Sequence, residues 1–509
     1  MAKQEVLTFD QMPSKGLRPN NRMPRNSQYF TTLQNIRVRP EGLVAYDAVT
    51  QPVSTADLTS ASVTIAFPFP QLFRGKWVTL LADETKLFTV NESTWAITQV
   101  TTYDLYTPAS TKAITAGGPW HFMDFFNTWM LFNGECCILK FGGDAKYYVQ
   151  DTLSVQTGCA HRGRAIQGGF STSDFWSSTW KTFWTSRIIQ DNPPNSSIVK
   201  TMTDIGPNWV MWSTIGGGDL RFIHDVTWAT TGPYTVGHDS THPYILDYIR
   251  RNEWGLMPMT FQGSVLNTTS LGQHVFVGGE DGINVLTQYS SPVPTFGLSL
   301  SLPYGILSRS AVGGSDERIV FLDEDGCLWH LDAALKLDRL DYTEYFNPMI
   351  GTDVVITYHP QEQDFYISNG ADCFILSRDG GLSQGPQLLT SLAWVQGGPI
   401  GFFESEADST MLAVSDVFDM GYGGLKQIQQ TLITGDPDET LQVAYDYRYD
   451  RNGSWTRTPF TTVGKESNVF TLIAGNEFRL VIKKPSSYTG VKIERIDITW
   501  KPIDKRFSH

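Results

Sequence analysis

Cysteine is scarce in this chain: five among 509 residues, at positions 136, 137, 159, 327 and 373, with no CxxC spacing. An odd count leaves at least one thiol unpaired, and the pattern points to buried, reduced side chains of a chain that folds in a reducing cytoplasm. Long apolar runs are absent too. No stretch approaches the ~18 to 20 uninterrupted apolar residues that span a bilayer, and the opening MAKQEVLTFDQMPSKG has no apolar signal core. The expectation is a soluble chain without a secretion address, so the N-x-[ST] triplets at Asn91, Asn195, Asn267 and Asn452 have no glycosylation to report. No GxxxxGK[ST], GxSxG or HExxH occurs, which removes the common phosphate-cradling, serine-hydrolase and zinc-protease signatures.

What is present is globular and aromatic. The chain is 41% hydrophobic, 13% aromatic and 18% charged, with 45 glycines, a mixture that suits short strands joined by tight turns. The formal charge of −13 is unevenly spread. Residues 1–40 have seven basic side chains (Lys3, Lys15, Arg18, Arg22, Arg25, Arg37 and Arg39) against Glu5 and Asp10. The last nine are also net basic, so the body between them holds −20. An acidic body repels nucleic acid, whereas a basic arm can dock on an acidic partner.

A hairpin recurs at a fixed step. HVFVGGEDGINVLTQ, RIVFLDEDGCLWHLD and DFYISNGADCFILSRDG each run strand, turn, strand, with turn glycines Gly282, Gly326 and Gly370 spaced by 44 residues. Periods of about 40 to 45 residues with several strands per unit mark propeller blades. Asp281-Gly282, Asp325-Gly326 and Asn369-Gly370 are dipeptides of two-residue hairpins, where glycine accepts positive φ. WMLFNGECCILKFGG and NWVMWSTIGGGDLRFIHDV read as two further hairpins, turning near Gly134 and Gly217.

The expected fold is therefore all-β: a β-propeller of six or seven blades. An extended basic N-terminal arm with its first strands covers 1–75, the propeller 76–430, and a small separate C-terminal β-sheet domain 431–509. HDSTHPYILDYIRRNEWG predicts one helical insertion at 241–254, capped by Ser240 or Thr241 and stopped by Gly255. Towards the end, Asn452-Gly453 predicts a hairpin, and the parity shift between Ile493 and Ile496 predicts a bulge at Glu494-Arg495.

Constellations with chemical potential are few. SRDGGLSQGP at 377–386 comes close to the Asp-box of sialidase-like propellers, with Gln384 where the Trp would stand, and such boxes are structural turns. A glycosidase also needs two carboxylates about 5 to 9.5 Å apart, a separation sequence does not reveal. His238 and His242 have HxxxH spacing but no third ligand nearby, and read as surface or capping histidines. The aromatic run SDFWSSTWKTFWTSR reads as inter-blade core ahead of a stacking platform. No catalytic residue, metal or cofactor is expected.

The order of elements resembles the tail hub or nozzle proteins of short-tailed bacteriophages, the packaged-DNA stabilisation family. PRNSQYFTTLQNIRVRPEGLVAYDAV is similar to the family's opening, the stretch from GQHVFVGGEDG to EDGCLWHL to its blades and connector, and FRLVIKKPSSYTGVKIERIDI to its closing hairpin. The resemblance implies a virion protein of the tail, assembled in the host cytoplasm. It would form a homo-oligomeric ring of six below a portal-adaptor complex, near fibre or needle proteins. Genomic double-stranded DNA would pass its channel without specific binding, be retained there, and leave on infection. Lys15, Arg18, Arg22 and Arg25 are the candidate docking residues towards the adaptor. Competing readings are a receptor-binding or glycan-degrading tail propeller and a cellular propeller scaffold.

Overall fold

A computed structural model describes residues 4–9, 15–19, 26–46, 55–62, 67–73, 76–91, 93–104, 109–125, 128–141, 145–150, 155–170, 208–213, 254–289, 295–360, 362–385, 387–395, 398–406, 410–436, 440–485 and 491–503. Strands dominate; the helices among these residues are Thr55–Ser60, Thr343–Phe346 and the 3-10 turn Asn347–Met349. The chain divides into two compact units, one of residues 51–339 with 391–402, the other of 1–50, 340–390 and 403–509.

The fold is all-β and propeller-like, as the period predicts. Among the described residues six four-stranded antiparallel meanders follow one another, beginning at Phe67, His121, Val155, Val265, Val312 and Val355. Five belong to the first unit. They stack by burying apolar faces against their neighbours. Leu80 and Leu87 of the first meander share a core with Trp129, Leu131 and Ile138 of the second. Ile166 and Val210 of the third meet Val265, Val277 and Leu286 of the fourth, whose Phe276 and Val285 meet Phe321 and Trp329 of the fifth. The second and third approach so closely that a Cβ on Gly158 would lie 2.7 Å from the Phe132 ring. Four-stranded sheets packed face to face in chain order are the blade arrangement of propellers.

The turns at the 44-residue step are hairpins, but the predicted dipeptides are not their loops. Gly279 N donates to Gly282 O at 2.8 Å around Glu280-Asp281, Asn369 N to Asp372 O at 3.2 Å around Gly370-Ala371, and Asp323 N to Cys327 O at 3.0 Å around three residues. Gly326 and Gly370 have φ of +75° and +81°, whereas Gly282 is required for space: a Cβ there would lie 2.6 Å from Phe261 Cβ. A second repeat accompanies the glycines. An Asp or Asn follows the second strand of four meanders and accepts two backbone N–H groups of its own turn. Asp83 takes those of Thr85 and Lys86, and Asn133 those of Glu135 and Cys136. Asp323 takes those of Asp325 and Cys327, and Asn369 those of Ala371 and Asp372. These side chains satisfy donors that the turn turns away from the ladder.

Two expectations change. The strand Trp209–Ser213 pairs on one side with Arg164–Phe170 and on the other with Trp254–Pro258, so both its edges are taken and it does not form a hairpin across Gly217. Trp254 and Gly255 lie in that last strand and not at a helix end; the rest of the predicted insertion, 241–253, lies outside the described residues, as do His238 and His242 and the aromatic run.

In the second unit the chain's two ends are interwoven, and the segment from residue 431 does not stand alone. Phe30–Gln34 lies between Met411–Ser415 and Leu382–Gln384, joining the sixth meander to Glu477–Lys484 and Gln442–Arg448 in one sheet. A second sheet runs Ile36–Arg39, Gly42–Ala45, Lys492–Pro502, Lys426–Asp436, Asn468–Gly475, with Glu5–Phe9 also on Lys492–Pro502. The two sheets are linked by the Thr431–Tyr445 hydroxyl contact, and Phe418 packs on Phe9 at 5.2 Å and Phe478 at 6.1 Å. Hydrophobic alternation exposes each strand in sequence but not a partner hundreds of residues away. The bulge falls where the parity shift predicts it: Thr434 faces Arg495 and Gly435 faces Ile493, leaving Glu494 as the extra residue.

Asp323 uses both carboxylate oxygens, since the second also takes the Trp329 indole N–H at 2.7 Å. Asp323→Ala orphans three donors and is expected to lower unfolding stability by about 2–4 kcal/mol, against less than about 1 for Asp325→Ala on the exposed side of the same turn. Urea denaturation of both variants checks this.

Candidate docking segment

The four docking residues of the sequence divide. Arg22 and Arg25 lie outside the described residues. Lys15 and Arg18 are brought together on a short segment built into the sheet. Leu17 N donates to Leu382 O at 2.7 Å, Phe30 N to Gly16 O at 3.0 Å, and Arg18 N to Phe30 O at 2.8 Å. Gly16 has φ of +76°, and a Cβ there would meet Leu382 O at 2.7 Å, so glycine is needed for chain and neighbour to touch. Leu17 is buried behind it.

The Arg18 guanidinium is turned inward, 3.5 Å from Asp416. That carboxylate also accepts from Ser27 Oγ and Val417 N, both at 2.8 Å, while the Tyr345 hydroxyl donates to Arg18 O at 3.2 Å. Burial holds the Tyr345 hydroxyl above its ordinary range. Lys15 Nζ stands 5.2 Å over the Tyr29 ring, and Asn26 and Asp419 exchange two hydrogen bonds of 2.9 Å. Over its described part, the expected extended arm is therefore a set of paired strands and clamps. Its polar residues find partners in the C-terminal half, which a count of local hydrophobicity does not register.

Arg37 and Arg39, counted as arm charge, are consumed entirely inside the fold. Arg39 grips Asp364 with both nitrogens, at 2.7 and 2.9 Å, and reaches Glu362 at 2.7 Å. Arg37 donates to the Tyr366 hydroxyl at 2.8 Å and lies 5.5 Å over the Tyr46 ring. Burial alone would favour the neutral form of Arg39, but the hydrogen bonds and charges of Asp364 and Glu362 outweigh it and raise its affinity for the proton. Burial likewise lifts the Asp364 carboxyl, with Arg39 acting against it. Such a pair is costly to break because the remaining charge is left buried. The sequence signal was the IRVR alternation, which sets both arginines on one side of a strand, but nothing local names their acidic partners.

A second polar cluster joins three meanders and a connector of the other unit. Arg309, on the connector before the fifth meander, donates to Pro119 O at 2.8 Å, and Asn267 Nδ2 donates to Arg309 O at 2.9 Å. His121 Nδ1 lies 2.5 Å from Thr157 Oγ1, which is 3.1 Å from Thr268 Oγ1. Burial brings Arg309 down to about 10, and burial with the Arg309 charge brings His121 down to about 4. Burial also takes His161 and His359 to about 4. All five cysteines are free thiols, and burial pushes Cys159 up to about 12. Ser377, in the segment resembling an Asp-box, accepts from Gly381 N at 3.0 Å in the turn between Cys373–Leu376 and Leu382–Gln384, a structural use. Among the described residues no group of His, Cys, Asp and Glu could hold a metal ion, and no helix is long and apolar enough to cross a membrane.

No protein-family model matches the chain, and no curated protein matches its sequence. Solved structures similar to it include PorZ, a surface component of the type-IX secretion system of Porphyromonas gingivalis (10% identity, 69% of this chain and 36% of that one, TM-score 0.31). AztD from Citrobacter koseri matches at 9% identity over 82% of this chain and 90% of its own, TM-score 0.32. BamB from Moraxella catarrhalis matches at 8% identity over 81% and 96%, TM-score 0.34. The chain thus spans about a third of PorZ and most of the other two. The fold assignment rests on the sheets themselves.

Two outcomes are expected. Arg39→Ala should cost about 3–5 kcal/mol of stability, while Lys15→Ala, removing a cation over one ring, should cost less than about 1; equilibrium denaturation separates them. Second, a histidine that titrates near 4 when folded and near 6.5 when unfolded takes up its proton on unfolding within that window. Stability is therefore full above pH 6.5 and declines as pH falls towards 4. Replacing His161 by Gln should flatten that slope by on the order of 1–2 kcal/mol, read from urea midpoints at the two ends of the window.

Proposed function

We propose that this chain is a tail nozzle or hub subunit of a short-tailed bacteriophage, a structural virion protein that continues the DNA channel below a portal-adaptor complex. The single observation that supports the reading most is the union of a propeller-like all-β body with a charge of −20 over residues 41–500. Duplex DNA has one negative charge per ~1.7 Å of axis, so a basic wall would grip it and an acidic wall lets it slide. The stretches resembling the family's opening and closing segments also share sheets: Phe30–Gln34 with Glu477–Lys484 through Met411–Ser415, and Gly42–Ala45 with Lys492–Pro502.

In this reading Lys15, Arg22 and Arg25 face an acidic adaptor, and Arg18 holds their segment to Asp416. Deleting the first 28 residues is a poor test, since it would remove Glu5–Phe9 and Leu17 from the sheets. Charge reversal is cleaner. The protein mixed with portal-adaptor rings should cap them in electron micrographs, and Lys15→Glu, Arg22→Glu and Arg25→Glu together should weaken capping by about tenfold or more with the fold intact. Failure of the unaltered chain to cap, or release of reducing sugar from surface glycans, would overturn the nozzle reading.

A further inference from the structure

The most anomalous surface of the second unit is the strand Asn468–Gly475. It pairs with Lys426–Asp436 on one side and with nothing on the other among the described residues. Its outward side chains include Phe470 and Leu472, 72% and 75% exposed, the largest exposures among the large apolar residues described. The eight residues NVFTLIAG contain no charge and no proline, two of the devices that keep open edges from pairing, and the bulge that sets Thr471 and Leu472 opposite Gln429 leaves Leu472 exposed.

The same sheet has a second open edge. Among the described residues Glu5–Phe9 pairs only with Lys492–Pro502, and its Val6 is 59% exposed. The registers set Val6, Thr499, Gln430 and Phe470 in one row across the sheet. All three pairings in that row are antiparallel, so the two edge strands run in opposite directions. An edge Glu5–Phe9 laid against Asn468–Gly475 would continue the sheet in its own antiparallel pattern, with Val6 beside the exposed Phe470 and Leu472.

Charge selects the occupant. A polyanion or an anionic membrane surface needs cations, and this strand offers none. Copies of a chain of net −13 repel over most of their surface, and an uncharged strip is where two can approach. We infer that copies of this chain join head to tail, the Glu5–Phe9 edge of one adding to the Asn468–Gly475 edge of the next. A heterologous contact of this kind generates a ring when the rotation closes. The inference deepens the nozzle reading by supplying a subunit contact, yet it rests on the sheet alone.

The test is the mass of the full chain in solution over a range of concentrations, by sedimentation velocity. The unaltered protein should pass from monomer to multiples, and Phe470→Lys with Leu472→Lys, both outward-facing, should remain monomeric with an unchanged circular dichroism spectrum. Val6→Cys with Phe470→Cys should give copies cross-linked end to end on oxidation. A chain monomeric at every concentration, a lysine variant that assembles like the parent, or Leu472→Cys cross-linking only to itself would each overturn the proposal. A chain that assembles but never caps adaptor rings sinks the nozzle reading and leaves this contact standing; a monomer that caps them does the reverse.

Discussion

A strand thirty residues from the start of a chain stays in the interior of a sheet only if its N–H and C=O groups find partners on both sides. Phe30–Gln34 meets that demand between Met411–Ser415 and Leu382–Gln384. Much of the second unit depends on it. Without this strand the sixth meander and the C-terminal strands would be two sheets with raw edges. The Arg39 grip on Asp364 and Glu362 then ties the next strand, Ile36–Arg39, to the second strand of that meander and the turn before it. Long-range closures of this kind gain little until most of the chain is in place, which makes them slow to form and strongly cooperative once formed.

The first unit is held together differently. Apart from the third meander, whose strands are widely spaced, each is local in sequence; three have turns satisfied by their own Asp or Asn, and neighbouring meanders bury apolar faces against one another. The polar cluster of His121, Thr157, Thr268, Asn267 and Arg309 is the exception, because it couples segments far apart in the chain through hydrogen bonds. Neutral buried histidine is compatible with such a network and protonated histidine is not, so acid acts on this unit through its interior.

Local features were legible in the sequence and long-range ones were not. The hairpins around Gly326 and Gly370, the Asn452-Gly453 turn and the bulge at Glu494 follow from turn chemistry and side-chain parity within a dozen residues. The Asp or Asn that opens each of these four turns stands in LADETKLF, LFNGECCI, FLDEDGCL and ISNGADCF, but its position varies relative to the glycine, so the glycine step alone does not mark it. The fate of the basic residues was not legible. Arg18, Arg37 and Arg39 look like arm charge because their partners, Asp416, Glu362 and Asp364, lie more than 320 positions away. The hairpin expected at Gly217 failed for the same reason, since the true partner of Trp209–Ser213 lies some forty residues on.

The described N-terminal strands are an integral part of the C-terminal sheets. Native-state hydrogen exchange of the full chain tests this most directly. Amides of Phe30–Gln34 and Ile36–Arg39 should exchange with the same opening free energy as those of Glu477–Lys484 and Lys492–Pro502, as one cooperative unit. Rapid exchange of the N-terminal strands while the C-terminal strands stay protected would contradict it.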